Sequence, residues 1–184
     1  MIKGLHHNAY RCRDSEETRK FYEEFLGLTL ANAFEIKETL SGRKTSTLHS
    51  FYRMDDGSCL AFFEAPDMPF DFKVQHDYDL HIALEVSPEH LRTMFARGKA
   101  AGIETRGISN HGFIDSIYFR DPNGYVIELT AKKPGHDAAM DPAKNGAPAR
   151  LKEWQARKSA GDPAADLGAT SREREVPAGG PTLL

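Results

Sequence analysis

Apolar and polar residues alternate from Leu80 to Val86, with Leu80, Ile82, Leu84 and Val86 on one side and His81, Ala83 and Glu85 on the other. A period of two marks a half-buried strand. The strand runs into Ser87-Pro88-Glu89, a cap with proline at the first helical position. A helix bearing Leu91, Met94 and Phe95 follows and ends near Gly102. The same plan occurs earlier in the chain. Leu5-His6-His7-Asn8-Ala9-Tyr10 leads to Asp14-Ser15-Glu16-Glu17, where Asp14 caps a helix and Glu17 stands at the answering position of a capping box. That helix places Phe21, Tyr22, Phe25 and Leu26 on one face and stops at Gly27. Short β-rich runs follow each helix, at 33–38, 45–52 and 58–64 in the first half and 104–107, 113–119 and 124–130 in the second. Asp55-Asp56-Gly57 and Asp121-Pro122-Asn123-Gly124 form matching turns before the last strand of each half. The pattern predicts an α+β fold of two tandem βαβββ modules, residues 1–75 and 76–131, together one domain.

From Lys132 onward alanine, glycine and proline dominate, so residues 132–184 read as an extended tail without a core. One short helix is expected near 149–158, its Leu151 and Trp154 docking on the domain or a partner chain. The last twenty or so residues are expected to be mobile or draped over a neighbour.

Side-chain alternation selects the candidate chemistry. On the strand from 80 to 86 the apolar face packs on the helices, and His81 looks the other way into a cavity. On the closing strand Tyr125, Ile127 and Leu129 share one face, and Val126, Glu128 and Thr130 share the other, so Glu128 points as His81 does. In module one the same logic groups Ser58, Leu60, Phe62 and Glu64, which makes Glu64 the counterpart of Glu128. His6 and His7 cannot both point inward; matching the strand-to-helix junctions and the alanines Ala9 and Ala83 favours His7. Two histidines and a carboxylate brought together by an internal repeat make a metal site with open positions. A buried carboxylate needs such a partner.

Composition narrows the setting. At 184 residues the chain buries a real core without disulfides. Cys12 and Cys59 fall in apolar strand patterns and read as small buried hydrophobes in a reducing compartment. A formal net charge of −3 with mixed signs argues against nucleic-acid or membrane partners. With no apolar run long enough for a signal peptide or a span, cytoplasm is the expected location.

These residues resemble the vicinal oxygen chelate superfamily, the glyoxalase, bleomycin-resistance and extradiol-dioxygenase group, across roughly residues 3–131. The resemblance implies an open cup-like β-barrel around a divalent metal, with His7, His81 and Glu128 as ligands. The run from His111 through Tyr118 to Glu128 is similar to the extradiol ring-cleavage signature, although Ser109 departs from it. It implies a non-haem Fe(II) dioxygenase acting on a catechol-like aromatic with O2, with His111 and Tyr118 as catalytic residues in a cup softened by Phe62, Phe113 and Tyr118. Ser58 stands where such enzymes carry a histidine, a role for which His49 and His76 are substitutes. Glu64 is an undecided fourth position, a ligand or a cavity wall. As a ligand it would favour a glyoxalase I-like Zn or Ni isomerase or lyase, with Mn a further option for the metal. A metal-free drug-binding protein is the third reading. The segment 65–78, with Pro66, Pro69 and Phe70, is a candidate lid, and a homodimer is the expected assembly.

Overall fold

The computed structural model describes residues 1–74 and 76–160. β1 (His7–Cys12) leads into α1 (Ser15–Arg19), where Asp14 sits extended at the N-cap and its carboxylate accepts from the Glu17 N–H at 2.7 Å. The Glu17 carboxylate pairs with Arg13 and leaves the capping box half made. The helix continues in π-helical form over Lys20–Phe25, with the Leu26 N–H donating to the Phe21 carbonyl at 2.9 Å. The wider turn keeps Phe21, Tyr22 and Phe25 together on the buried side.

β2 (Thr29–Glu38), β3 (Lys44–Arg53) and β4 (Cys59–Glu64) complete module one in the sheet order β1-β4-β3-β2. Module two repeats it with β5 (His81–Glu85), α2 (Pro88–Ala100), β6 (Thr105–Asn110), β7 (Ile114–Arg120) and β8 (Val126–Lys132), in the order β5-β8-β7-β6. Ser87 caps α2 through the His90 N–H at 3.1 Å, with proline behind it. The pairs β1–β4 and β5–β8 are parallel and the others antiparallel. The two mixed sheets stay open and are not closed into a barrel.

One hydrophobic core spans both modules, joining Phe21, Tyr22 and Phe62 to Leu91, Phe119 and Ile127. Phe25 meets Phe119 edge-on at 5.2 Å, and Tyr10 lies 5.0 Å from Tyr125. Tyr10 and Cys12 on β1, and Ile127 and Leu129 on β8, therefore turn toward the shared core. By alternation, His7 and Ala9, and likewise His81, Ala83 and Glu128, turn away from it. The modules pack back to back, each with an outward sheet face.

The turn before β8 ties this arrangement together. Asp121 is buried; its Oδ2 accepts from the Tyr22 hydroxyl at 2.9 Å and its Oδ1 from the Tyr125 N–H at 2.7 Å. Asn123 accepts from the Arg13 N–H at 2.8 Å and donates to Thr18 Oγ1 at 3.3 Å. Its carbonyl accepts from the Lys73 N–H at 2.9 Å, so the segment read as a lid is anchored on this turn.

From Asp137 the described residues belong to a second unit. α3 (His136–Met140) runs into it, and α4 (Ala147–Ser159) covers the expected helix, with Leu151 and Trp154 exposed. The expectation for the last twenty residues lies outside the described residues. Among those described, no helix is long and apolar enough to cross a membrane. Cys12 is buried and Cys59 partly so, both as free thiols; burial pushes the Cys12 thiol up to about 11.

Candidate metal centre

β5 and β8 run side by side in parallel, with Ala83 opposite Glu128. This register brings His81 Nε2 to 3.2 Å from Glu128 Oε2, on a side chain only 7 % exposed. His81 Nδ1 lies 2.6 Å from the Asp77 carbonyl oxygen. A carbonyl only accepts, so Nδ1 carries a proton, and Nε2 faces the carboxylate. An imidazole nitrogen and a carboxylate oxygen at this distance need a cation or a second proton between them. An imidazole held by a carbonyl beside a buried carboxylate is a donor set that fits a divalent metal such as Fe(II), Mn, Zn or Ni.

Tyr118 on β7 stands opposite Glu128, and its hydroxyl is 2.9 Å from His111 Nε2. Burial, and then the charge of Glu128, raise the Tyr118 phenol above its ordinary value. His81, Glu128, Tyr118 and His111 thus share the outward face of module two.

His7 does not join them. It sits on the outward face of module one, 2.7 Å from His6 between Nδ1 atoms, with its ring 5.3 Å from Phe51. Among the described residues no three histidine, cysteine, aspartate or glutamate side chains are placed to hold a metal. Back-to-back packing is the reason, because convergence within one chain would need the two outward faces to meet.

Glu64 also departs from expectation. Ala9 pairs with Ala61 as Ala83 pairs with Glu128, so Ala61 occupies the position equivalent to Glu128. Glu64 pairs with Cys12, and its carboxylate accepts from the Ser15 N–H at 2.7 Å at the start of α1, where a negative charge is favoured. Spacing from the turn glycine carried this signal, since four residues beyond Gly124 stands Glu128 and four beyond Gly57 stands Ala61.

Phe62 is fully buried in the core and lines no cup. The aromatic rings on the outward face of module one are Phe34, Phe51 and Phe63, gathered around His49, which stacks on Phe63 at 3.7 Å. His49 Nδ1 faces the Phe62 carbonyl at 3.0 Å, and its ring is 6.2 Å from that of His7. The Ser58 hydroxyl donates to Asp56 at 2.6 Å, and His76 accepts from the Tyr78 N–H at 3.1 Å in the turn before β5. The Asp77 carbonyl, which sets the His81 tautomer, was not legible in the sequence, because a main-chain acceptor leaves no mark on residue type.

Each of the paired βαβββ modules carries a histidine on its first strand, and the last strand of the second carries Glu128. Residues 4–129 match the family model of the Glyoxalase/Bleomycin resistance protein/Dioxygenase superfamily, and the chain belongs to that family. It is 26 % identical over 151 residues to the ring-cleaving dioxygenase MhqA of Bacillus subtilis (strain 168), covering 80 % of this chain and 46 % of MhqA. The chain therefore spans less than half of that relative. It is 31 % identical over 132 residues to the metallothiol transferase FosB of Bacillus licheniformis, covering 70 % of this chain and 75 % of FosB. The fosfomycin resistance protein FosX of Listeria monocytogenes, solved with Mn(II) and sulfate, shares the fold. Its TM-score is 0.56 at 24 % identity, over 75 % of this chain and 99 % of FosX.

Proposed function

We propose that this protein is a non-haem Fe(II) ring-cleaving dioxygenase acting on a catechol-like aromatic, its metal held by His81 and Glu128 of one chain and His7 of a second copy. The observation that carries this reading is His81 Nε2 set 3.2 Å from the buried Glu128 carboxylate, with the Tyr118 and His111 pair on the same face. Two imidazoles and one carboxylate would hold Fe(II), which would supply the electron exchange between a catechol and O2. Tyr118, its phenol raised, stays a donor at neutral pH toward a catecholate oxygen. His111, against that hydroxyl, takes or returns the proton. The rings of Phe34, Phe51 and Phe63, gathered around His49 beside His7, suit a planar aromatic body.

Ala61 in the position equivalent to Glu128 weighs against a four-ligand Zn or Ni site of the glyoxalase I kind. The paired His81 and Glu128 weigh against a metal-free drug-binding role. Similarity to the metallothiol transferase FosB supports a second reading, metal-dependent thiol transfer, for which the fosfomycin named with FosX is a test substrate. Anaerobic purification, elemental analysis and an oxygen electrode with substituted catechols separate the two. Iron with catechol-dependent O2 uptake and a yellow product is the expected result. Thiol-dependent loss of fosfomycin without O2 uptake would put the second reading in its place.

A further inference from the structure

We propose that Arg106 and Asp77 form a brace that orients His81 for metal binding, a positioning role that rests on the metal-centre reading above. Asp77 lies in the turn before β5, outside any strand, yet its carbonyl fixes the tautomer and rotation of the His81 ring. A turn carbonyl alone is a yielding anchor. The Asp77 side chain removes that freedom by accepting from Arg106 Nη1 at 2.6 Å, in a pair whose side chains are 20 % and 36 % exposed. Arg106 belongs to β6 and stands opposite Tyr118, with its guanidinium 5.4 Å from the centre of the Tyr118 ring.

The contacts close a circuit. Glu128 faces His81, His81 is held by Asp77, Asp77 by Arg106, and Arg106 lies over Tyr118, which stands opposite Glu128. The circuit crosses all four strands of the β5-β8-β7-β6 sheet. The turn cannot drift without breaking a charge-assisted hydrogen bond and a cation–π contact. Arginine suits the post because its planar head pairs with a carboxylate and lies over a ring together, whereas lysine offers a point charge. Partners behind a ligating histidine alter metal affinity by about 10–100-fold when removed.

The test is Mn(II) titration of the full chain, with free Mn(II) read by electron paramagnetic resonance. It compares wild type, Asp77→Asn, Arg106→Gln, the double variant, Arg106→Lys and His81→Ala. Glu104→Gln serves as control, since Glu104 also approaches Arg106, at 3.4 Å. Asp77→Asn and Arg106→Gln are each expected to weaken Mn(II) by about 10-fold or more, and the double variant by no more than either single change. Arg106→Lys should recover part of the loss, Glu104→Gln should bind as wild type, and metal-free melting temperatures should stay near that of wild type. Nitrogen NMR of the His81 ring in the metal-free protein should find the proton held on Nδ1 in wild type and shared between tautomers in Asp77→Asn. Wild-type affinity in Asp77→Asn and Arg106→Gln, with loss in His81→Ala, would overturn the brace and leave the centre standing. Unchanged binding in His81→Ala would overturn both. Losses that add in the double variant, or that track lowered melting temperatures, would make the pair merely structural and overturn the proposal.

Discussion

Asp121 is a carboxylate kept away from water by the fold, with the Tyr22 hydroxyl and the main-chain N–H groups of Asn123 and Tyr125 as donors. Removing one donor from a buried acceptor costs about 1–3 kcal/mol, so Tyr22→Phe should lower the urea unfolding free energy by that order. Burial raises the Asp121 carboxyl above its ordinary 3.8 in the folded chain. The folded form keeps this proton where the unfolded form has released it, so the contribution to stability is full below 3.8 and is lost as pH rises through the raised value. Asp121→Asn has no such proton. The unfolding free energy of wild type minus that of the variant should therefore shrink as pH climbs from the acid side, and a difference growing with pH would contradict this account. At this scale the sequence was partly legible. His81 and Glu128 follow from alternation on their own strands, whereas placing Glu64 required the register with β1, which alternation does not set.

The caps of α1 and α2 form where Asp14 and Ser87 were read, because a cap is decided within four residues of chain. The π-helical stretch was not legible, since the spacing of Phe21, Tyr22, Phe25 and Leu26 suits either helix. Two glycines show how tightly elements meet. A Cβ at Gly98 on α2 would lie 2.3 Å from Thr105 Oγ1 and 2.5 Å from the Phe119 ring, so Gly98→Ala should destabilise by about 1–3 kcal/mol in thermal or urea unfolding. At Gly124 the backbone is left-handed, with φ +95°, and a Cβ would meet the Lys73 carbonyl at 2.3 Å. Gly124→Ala is expected to loosen the segment before β5, seen as faster amide exchange at Lys73 together with a lower melting temperature.

For the whole molecule, back-to-back modules leave His7 on one outward face and His81 with Glu128 on another. On the function proposed above, a complete centre draws on two copies. His7→Ala and His81→Ala should each lose metal alone, yet regain about a quarter of the wild-type metal when mixed and allowed to exchange subunits, because each mixed dimer holds one intact centre. No recovery on mixing, with exchange demonstrated, would return the centre to a single chain. Recovery would also show that His7, rather than His6, is the ligand on β1.

The sequence by itself determined what depends on near neighbours: eight strands, the helix starts, the duplication, and the sides of β5 and β8 that carry His81 and Glu128. Those features follow from backbone periodicity and capping, which act over a few residues. Only the tertiary structure decided which faces meet. Core burial through Tyr10, Phe25, Phe119 and Tyr125 turned the histidine faces outward, and pairing of β4 with β1 gave Ala61 the place expected for Glu64. Both outcomes rest on contacts between residues far apart in the chain, where side-chain fit and strand register choose among arrangements that local patterns leave equal.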